Sequence, residues 1–286
     1  MTEPGTGDPL DRLPPLGEVI RRHGLDARKS LGQHFLLDRN LTNRIARAAG
    51  DLRHLTVLEV GPGPGGLTRS LLAAGAIRVI AVERDSRCLA ALEELAAAAP
   101  GRLDIIDADA LAIDEASLLD GPAVVVANLP YNIATALLFK WLDRLSLFER
   151  LTLMFQKEVA ERLAAEPGGK TYGRLSVMTQ WRAEVTALFD VQARAFTPPP
   201  KVTSTVVRIT PRAEPLAPAS AEVLGRLVAA AFGQRRKMLR SSLRQVSPDP
   251  EALLAAAEVA PTRRPEELDI AAFCRLARVL EAAGKR

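Results

Sequence analysis

A glycine-rich loop between a predicted strand and a predicted helix restricts the fold of this chain more than any other stretch. Residues 56–60 form a mainly apolar run with β-branched members, which is typical of a buried strand. Residues 61–66 follow directly with the sequence Gly-Pro-Gly-Pro-Gly-Gly, and residues 67–74 have a helical pattern. The order strand, glycine-rich loop and helix predicts an α/β domain whose backbone approaches a ligand closely at this loop.

The same alternation continues along the chain. Further strands are predicted at residues 78–82, 103–107, 123–127, 151–155, 184–189 and 204–209, and helices at 85–98, 134–142, 157–165 and 172–181. Strands that alternate with helices imply a parallel sheet covered on both faces. The predicted fold class is therefore α/β and Rossmann-like, with a mostly parallel seven-stranded sheet.

Composition divides the chain into three predicted parts. Residues 1–27 are expected to be a loose lead-in with a short helix at 16–23, and residues 28–210 carry the α/β pattern. Residues 211–220 are rich in Ala and Pro and are interpreted as a linker. The remaining predicted helices lie at residues 221–232, 250–259 and 265–283. Residues 211–286 are therefore predicted to form a small all-helical domain.

The overall charge and the cysteine content restrict the class of protein further. The net charge of +4 and the pI near 9.3 favour a polyanionic partner, although only modestly. The two cysteines, Cys88 and Cys274, have no spacing that suggests a metal site or a disulfide framework. No run approaches the roughly 18 apolar residues that indicate a membrane span. These features predict a soluble, cytoplasmic protein with no metal and no membrane contact.

The glycine-rich loop matches the Gly-x-Gly-x-x-Gly pattern of dinucleotide-binding proteins, and Glu83 follows about twenty residues later. A pyrophosphate in such a loop is bound by backbone N–H groups. Pro62 and Pro64 each lack this donor. The loop therefore suits a ligand that needs close backbone approach but carries no phosphate, and S-adenosylmethionine is such a ligand.

Acidic residues at the ends of successive predicted strands fit the parts of that cofactor. Glu83 can accept hydrogen bonds from both ribose hydroxyls, and Asp109 can accept one from the adenine amine. Glu59, just before the loop, can support the ammonium group of the amino-acid tail directly or through water. The alternative is that these are ordinary solvated carboxylates, which are common at strand ends.

The tetrapeptide Asn128-Leu129-Pro130-Tyr131 follows the apolar run 123–127 at a predicted strand end, where α/β sheets bind ligands. It is either a strand-terminating turn or a site for a planar base. In the second case Asn128 Oδ1 and the Leu129 carbonyl would accept the two N–H bonds of an adenine amine. Tyr131 would then stack on the base, and Phe196, beside three prolines, would cover the other face.

Motifs spread over residues 28–245 resemble one known family, the KsgA/RsmA ribosomal RNA adenine dimethyltransferases. The matching motifs are Gln33-His34-Phe35-Leu36, Glu59-Val60-Gly61-Pro62-Gly63, Asn128-Leu129-Pro130-Tyr131-Asn132, Gln156-Lys157-Glu158-Val159, Tyr172-Gly173-Arg174-Leu175-Ser176, Phe196-Thr197-Pro198-Pro199-Pro200-Lys201-Val202 and Gln234-Arg235-Arg236-Lys237. The resemblance implies that two methyl groups are added to each of two adjacent adenosines near the 3′ end of small-subunit (16S) rRNA, late in subunit assembly.

The resemblance also implies site residues. The cofactor would be bound by His34, Leu36, Gly61, Glu83, Asp109 and Asn128, and the target base by Asn128, Leu129, Tyr131 and Phe196. Independently of the resemblance, Glu59 and Gly63 are assigned to the cofactor site and Pro130 to the catalytic tetrapeptide. His34 is a departure, because many relatives have Asn there. An imidazole can still make one hydrogen bond, so cofactor binding is expected to survive. The protein is expected to act as a monomer.

Residues 234–244 carry five cations and no acid, namely Arg235, Arg236, Lys237, Arg240 and Arg244. On the predicted helix these cations would form a patch suited to RNA phosphates, which Arg28 and Lys29 could extend. The alternative is a solvated helix face. Two rival functions remain open: a methyltransferase that acts on large-subunit rRNA, and an assembly factor that binds RNA while its catalysis is dispensable.

Overall fold

The computed structural model describes residues 9–27 and 33–284. In this part of the chain the strands are β1 Phe35–Leu36, β2 Thr56–Val60, β3 Arg78–Glu83, β4 Leu103–Asp107, β5 Ala123–Asn128, β6 Phe148–Gln156, β7 Ala183–Val191, β8 Phe196–Thr197 and β9 Ser204–Pro211. The α-helices are α1 Leu16–Arg22, α2 Arg39–Ala48, α3 Gly66–Ala73, α4 Leu89–Ala98, α5 Tyr131–Leu142, α6 Lys157–Leu163, α7 Arg174–Arg182, α8 Ala221–Gly233, α9 Leu239–Ser242, α10 Pro250–Ala256 and α11 Ile270–Gly284.

The main sheet has seven strands in the order β4-β3-β2-β5-β6-β9-β7. The neighbours from β4 to β6 pair in parallel, and β9 pairs with β6 antiparallel. Central strands are buried on both faces, which explains their unbroken apolar runs. The predicted fold class, a mostly parallel seven-stranded Rossmann-like sheet with a helical C-terminal region, is confirmed.

A second, two-stranded sheet was missed by the sequence prediction. β1 and β8 pair antiparallel, with Phe35 opposite Thr197 and Leu36 opposite Phe196. Each strand has only two residues, too few to show a hydrophobic period. This pairing holds the segment after residue 33 against the proline-rich segment that follows Phe196.

The chain divides into two compact units. Of the described residues, one unit contains 9–27, 33–157 and 187–210, and the other contains 158–186 and 211–284. The prediction had assigned residues 158–186 to the α/β domain, and here it differs from the structure. Trp181 and Tyr172 are buried in one core cluster with residues of α8 and α11, which is why this segment belongs to the helical unit.

The expected loose lead-in does not hold for residues 9–27. The predicted short helix is present as α1, and its Val19 packs with Leu25 and with Cys88 and Ala91. Arg69 Nη1 also donates to the carbonyl oxygen of Pro14, at 2.7 Å. The described N-terminal residues are therefore part of the packed sheet unit. None of the helices in the described ranges is long and apolar enough to cross a membrane.

Candidate active site

A cavity of about 290 Å³ lies in the sheet unit where β2, β3 and β5 end. Parallel strands place their carboxyl ends at one edge, so side chains far apart in sequence converge there. The cavity is lined by almost all the predicted cofactor and base residues: His34, Leu36, Glu59, Gly61, Gly63, Glu83, Asp109, Asn128, Leu129, Pro130 and Tyr131. We call the part formed by Glu59, Glu83 and Asp109 the acidic end, and the part formed by His34, Asn128 and Tyr131 the ring end.

The glycine-rich loop requires glycine for two separate reasons. Gly63 has a φ of 55°, which disfavours any residue with a side chain, and a Cβ there would lie 3.0 Å from Phe35 Cε1. A Cβ on Gly66 would lie 2.7 Å from the carbonyl oxygen of Leu36. The loop backbone therefore packs directly on β1 and leaves the cavity beside it open.

Glu83 is a buried acceptor for backbone N–H groups at the acidic end. Its Oε2 accepts from Gly63 N at 2.9 Å, and its Oε1 accepts from Arg84 N and Asp85 N at 2.9 and 2.8 Å. Burial raises the pKa of this carboxyl group, while the three N–H donors act in the opposite direction. Since a carboxylate has about four acceptor positions, roughly one remains for a ligand hydroxyl. In this conformation Glu83 can therefore accept from one of the two ribose hydroxyls, whereas the prediction had it accept from both.

Glu59 is 1% exposed, and its Oε2 has no hydrogen-bond partner among the described residues. Burial raises the pKa of this carboxyl from 4.5 to about 8; the Thr68 hydroxyl beside it acts in the opposite direction, and the nearby Glu83 carboxylate adds to the rise. An unpartnered carboxyl oxygen in a ligand cavity fits a cationic group, which would supply the missing partner and favour the ionised form. The donor set therefore fits the ammonium group of S-adenosylmethionine.

Asp109 lies in the turn after β4. Its Oδ1 accepts from Leu111 N at 2.9 Å, and its Oδ2 pairs with Arg84 Nη1 at 3.0 Å. These contacts hold the side chain beside the cavity while leaving each oxygen a further acceptor position. The sequence reasoning missed Asp85, a buried residue that lines the same end and accepts from Gln33 Nε2 at 2.8 Å. Its position two residues after the strand end was the available signal.

Asn128 is oriented by the segment that leads into β1. Its Nδ2 donates to the carbonyl oxygen of His34 at 3.1 Å, so Oδ1 is left as the acceptor of the amide. No hydrogen bond to Oδ1 occurs within the described part of the chain. Tyr131, at the start of α5, is held by a 2.6 Å hydrogen bond between its hydroxyl and Ser204 Oγ, and burial raises its pKa.

The aromatic residues of the ring end are arranged differently from the prediction. The His34 ring lies against Tyr131, with centroids 5.5 Å apart and planes tilted by 33°. Phe196 is 3% exposed, does not line the cavity, and meets His34 edge-on at 6.3 Å. It is buried because its pairing with Leu36 turns it into the core of the sheet unit. Phe196 therefore lies outside the lining of this cavity, and the half-buried ring beside Tyr131 is that of His34.

The orientation of the His34 ring is also determined by a hydrogen bond. Its Nδ1 lies 2.7 Å from the carbonyl oxygen of Pro198. Because a carbonyl oxygen only accepts, Nδ1 carries the hydrogen and donates. The backbone and the side chain of His34 are thus each bonded to a different distant segment, one at Asn128 and one at Pro198.

The basic stretch does not form the predicted helix. α8 ends at Gly233, residues 234–238 form a turn, and only the four residues of α9 are helical before a short 3₁₀ segment. Arg235 is half-buried, donates to the carbonyl oxygen of Gly169 at 3.0 Å, and lies 3.9 Å from Glu266 Oε2. The remaining cations of the stretch are exposed: Arg236, Lys237, Arg240 and Arg244. The predicted extension of the patch by Arg28 and Lys29 lies outside the described residues.

A metal site was not expected. Among the described residues there is no group of three or more His, Cys, Asp or Glu side chains that could hold a metal ion.

Comparisons with known proteins agree with the geometry. The model of the ribosomal RNA adenine dimethylase family matches residues 24–282. The chain is 64% identical over 276 residues to ribosomal RNA small subunit methyltransferase A of Rhodospirillum rubrum, covering 96% of each protein. It is 65% identical over 270 residues to the protein of that name from Paramagnetospirillum magneticum, covering 94% of this chain and 96% of the relative.

Solved structures give the same result. A dimethyladenosine transferase from Plasmodium falciparum is similar with a TM-score of 0.73 and 26% identity, over 88% of this chain and 98% of the other. The 23S rRNA methyltransferase ErmE is similar with a TM-score of 0.67 and 32% identity, over 86% and 99%. The fold is that of S-adenosylmethionine-dependent methyltransferases, and the chain belongs to the ribosomal RNA adenine dimethylase family.

Proposed function

We propose that this protein uses S-adenosylmethionine to dimethylate the exocyclic amines of two adjacent adenosines near the 3′ end of small-subunit (16S) rRNA, during subunit biogenesis. The names of its relatives support the substrate, since those with about two thirds identity are small subunit methyltransferases. The structural observation that carries the proposal is the orientation of Asn128, whose Nδ2 is bonded to His34 and whose Oδ1 is left as an acceptor at the cavity.

The ring end supplies what an adenine amine needs. Asn128 Oδ1 accepts one N–H bond of the amine and the Leu129 carbonyl accepts the other, which localises the nitrogen lone pair and directs it at the methyl group. Bound S-adenosylmethionine supplies that methyl group on a cationic sulfur. Tyr131 stacks on the base, as required of an enzyme that takes a base out of its surroundings. The His34 ring already lies beside Tyr131. When the base enters, this ring either stays in the site next to the base or turns out of the site.

The acidic end holds the cofactor in this proposal. Glu59 pairs with the ammonium group, Glu83 accepts from one ribose hydroxyl, and Asp109 accepts from the adenine amine. Gly61 and Gly63 allow the backbone to approach the ligand closely. Leu36 and the backbone around His34 and Asn128 complete the wall. The buried, unpartnered oxygen of Glu59 is the main support for this assignment.

The exposed cations of the helical unit, Arg236, Lys237, Arg240 and Arg244, bind RNA phosphates in this proposal, and Arg28 and Lys29 belong to the same role. Arg235 contributes mainly by holding the turn, because its guanidinium is bonded to Gly169 and lies near Glu266. The partner is the small ribosomal subunit, and the protein acts as a cytoplasmic monomer.

The test is to incubate small ribosomal subunits that lack this modification with methyl-labelled cofactor and to map the methylated nucleotides. The proposal predicts two dimethylated adjacent adenosines near the 3′ end. Label in large-subunit RNA would instead favour the activity of the 23S rRNA methyltransferase to which the chain is also similar. Binding to subunits without any label would favour a non-catalytic assembly factor.

A further inference from the structure

Lys140, near the end of α5, makes two hydrogen bonds and one ion pair that the proposed chemistry does not use. Its Nζ donates to the carbonyl oxygens of Ala110 and Ile113 at 2.8 and 2.6 Å, and it forms an ion pair with Glu115 Oε1 at 2.9 Å. All of these acceptors belong to the segment between β4 and β5. One side chain thus ties a helix to a loop through two hydrogen bonds and an ion pair.

Glu115 makes this contact specific. The residue is 1% exposed, and its Oε1 also accepts from Trp141 Nε1 at 2.8 Å. Trp141 is itself fully buried and packs edge-on against Phe148. A buried carboxylate is costly unless it is paired, so removal of Lys140 would leave Glu115 without its counter-charge. The loop and α5 are therefore held in one arrangement.

The two elements joined by Lys140 meet at the cavity. In the loop, Asp109 and Leu111 line the cavity, and Leu111 is 39% exposed. In the helix, Tyr131 and Ile133 line it from the first turn. The carbonyl oxygens that Lys140 holds, those of Ala110 and Ile113, flank the turn that Asp109 closes by accepting from Ala112 N at 2.8 Å. Lys140 therefore fixes the position of the Asp109 turn relative to the start of α5.

We propose that Lys140 and Glu115 are positioning residues that hold the loop of residues 108–114 in the arrangement that binds the adenosine part of the cofactor. This proposal rests on the proposed function, in which Asp109 binds the adenine amine. Neither side chain lines the cavity, so each acts through the loop.

The experiment measures ligand binding by the full chain with isothermal titration calorimetry, using S-adenosylhomocysteine and methylthioadenosine, which share the adenosine part. Lys140→Met is expected to weaken both ligands by about 3- to 30-fold and by the same factor, because the lost contact acts at the adenosine part. Lys140→Arg, which keeps a charged donor, is expected to restore most of the affinity. Lys170→Met, at an exposed lysine of the other unit, is the matched control and should bind as the wild type does.

Wild-type affinity in a folded Lys140→Met variant, even with a lower melting temperature, would overturn the inference and leave only a structural role. If Lys140→Met does not fold, Glu115→Gln keeps an acceptor for Trp141 while removing the charge. That variant must then show the same equal weakening of both ligands, and unchanged affinity would overturn the inference. Failure of the wild type to bind S-adenosylhomocysteine would instead contradict the proposed function.

Discussion

At the acidic end of the cavity, buried carboxyl groups lie beside the backbone of the glycine-rich loop, whereas at the ring end His34 and Tyr131 meet through contacts between distant segments. The acidic end follows directly from strand ends, since Glu59 and Glu83 are the last or next-to-last residues of adjacent parallel strands. The ring end depends on Asn128 bonding to His34 and on Pro198 bonding to the same residue. The arrangement of the acidic end therefore follows from the local sequence, whereas that of the ring end depends on contacts between distant segments.

Substitutions at the two ends should therefore affect different steps. A change at the acidic end should alter cofactor affinity, and a change at the ring end should alter the rate of methyl transfer.

The largest expected effect is at the ring end. Asn128→Ala removes the acceptor for the target amine, and turnover at saturating cofactor should fall by about 10²- to 10³-fold. Single-turnover methylation of unmodified small subunits measures this rate. Asn43→Ala, on α2 and away from the cavity lining, is the control and should leave the rate unchanged. A loss of less than about fivefold would show that Asn128 does not polarise the amine.

The next effect is at the acidic end. Glu83→Gln replaces a carboxylate oxygen with a donor that would face backbone N–H groups, so affinity for S-adenosylhomocysteine should fall by about 10- to 100-fold. The single-turnover rate at saturating cofactor should change little. Glu94→Gln, at a surface pair with Arg22 and His23, is the control for calorimetry. An intact affinity in Glu83→Gln would remove this residue from the cofactor site.

Glu59 should make cofactor affinity depend on pH. Because its pKa in the folded state is raised to about 8, the ligand-free protein holds a proton that an ammonium ligand displaces. Cofactor affinity should therefore rise by about tenfold for each pH unit as pH approaches 8. Calorimetry in buffers of different ionisation enthalpy would detect the released proton, and Glu59→Gln should bind weakly at every pH without this slope.

The same pKa shift also affects stability. The unfolded chain loses this proton near pH 4.5 while the folded chain keeps it up to about pH 8. The free energy of unfolding from this group is therefore greatest below the unfolded pKa and decreases as pH rises through this window. Relative to Glu59→Gln, the ligand-free wild type should lose melting temperature between these pH values. If the melting temperatures of the two proteins changed with pH in the same way, the Glu59 side chain would not be buried in its neutral form.

The smallest effect concerns the exposed cations of the helical unit. Arg236→Ala and Lys237→Ala should each lower the slope of log affinity against log salt by about 1 for binding to small-subunit RNA. Arg235→Ala should mainly lower the melting temperature, because its guanidinium holds Gly169. Filter binding over a range of salt concentrations separates the two. A slope that is unaffected by Arg236→Ala and Lys237→Ala would mean that another surface contacts the RNA.

The sequence was sufficient for the parts of the molecule that have a local signal. The strand and helix periods predicted the parallel sheet, and the spacing of Glu59, Gly63 and Glu83 placed them at one sheet edge, where the cavity lies.

What the sequence did not reveal depends on contacts between distant residues. The burial of Phe196 follows from the short pairing of β1 with β8, and two residues per strand carry no periodic signal. The inclusion of residues 158–186 in the helical unit follows from shared packing of Trp181 with α8 and α11. The basic stretch was expected to be helical because its composition allows a helix, but the chain turns at residues 234–238.

The different roles of the two ends are tested most directly by Tyr131→Ala. Cofactor affinity and the single-turnover rate are measured on the same preparation. The rate of methyl transfer to unmodified small subunits should fall by about 10- to 100-fold, because stacking on a base contributes about 1–3 kcal/mol. The dissociation constant for S-adenosylhomocysteine should stay within about twofold of the wild-type value. An unchanged rate, or a loss of affinity as large as the loss of rate, would contradict the assignment of Tyr131 to the base and of the acidic end to the cofactor.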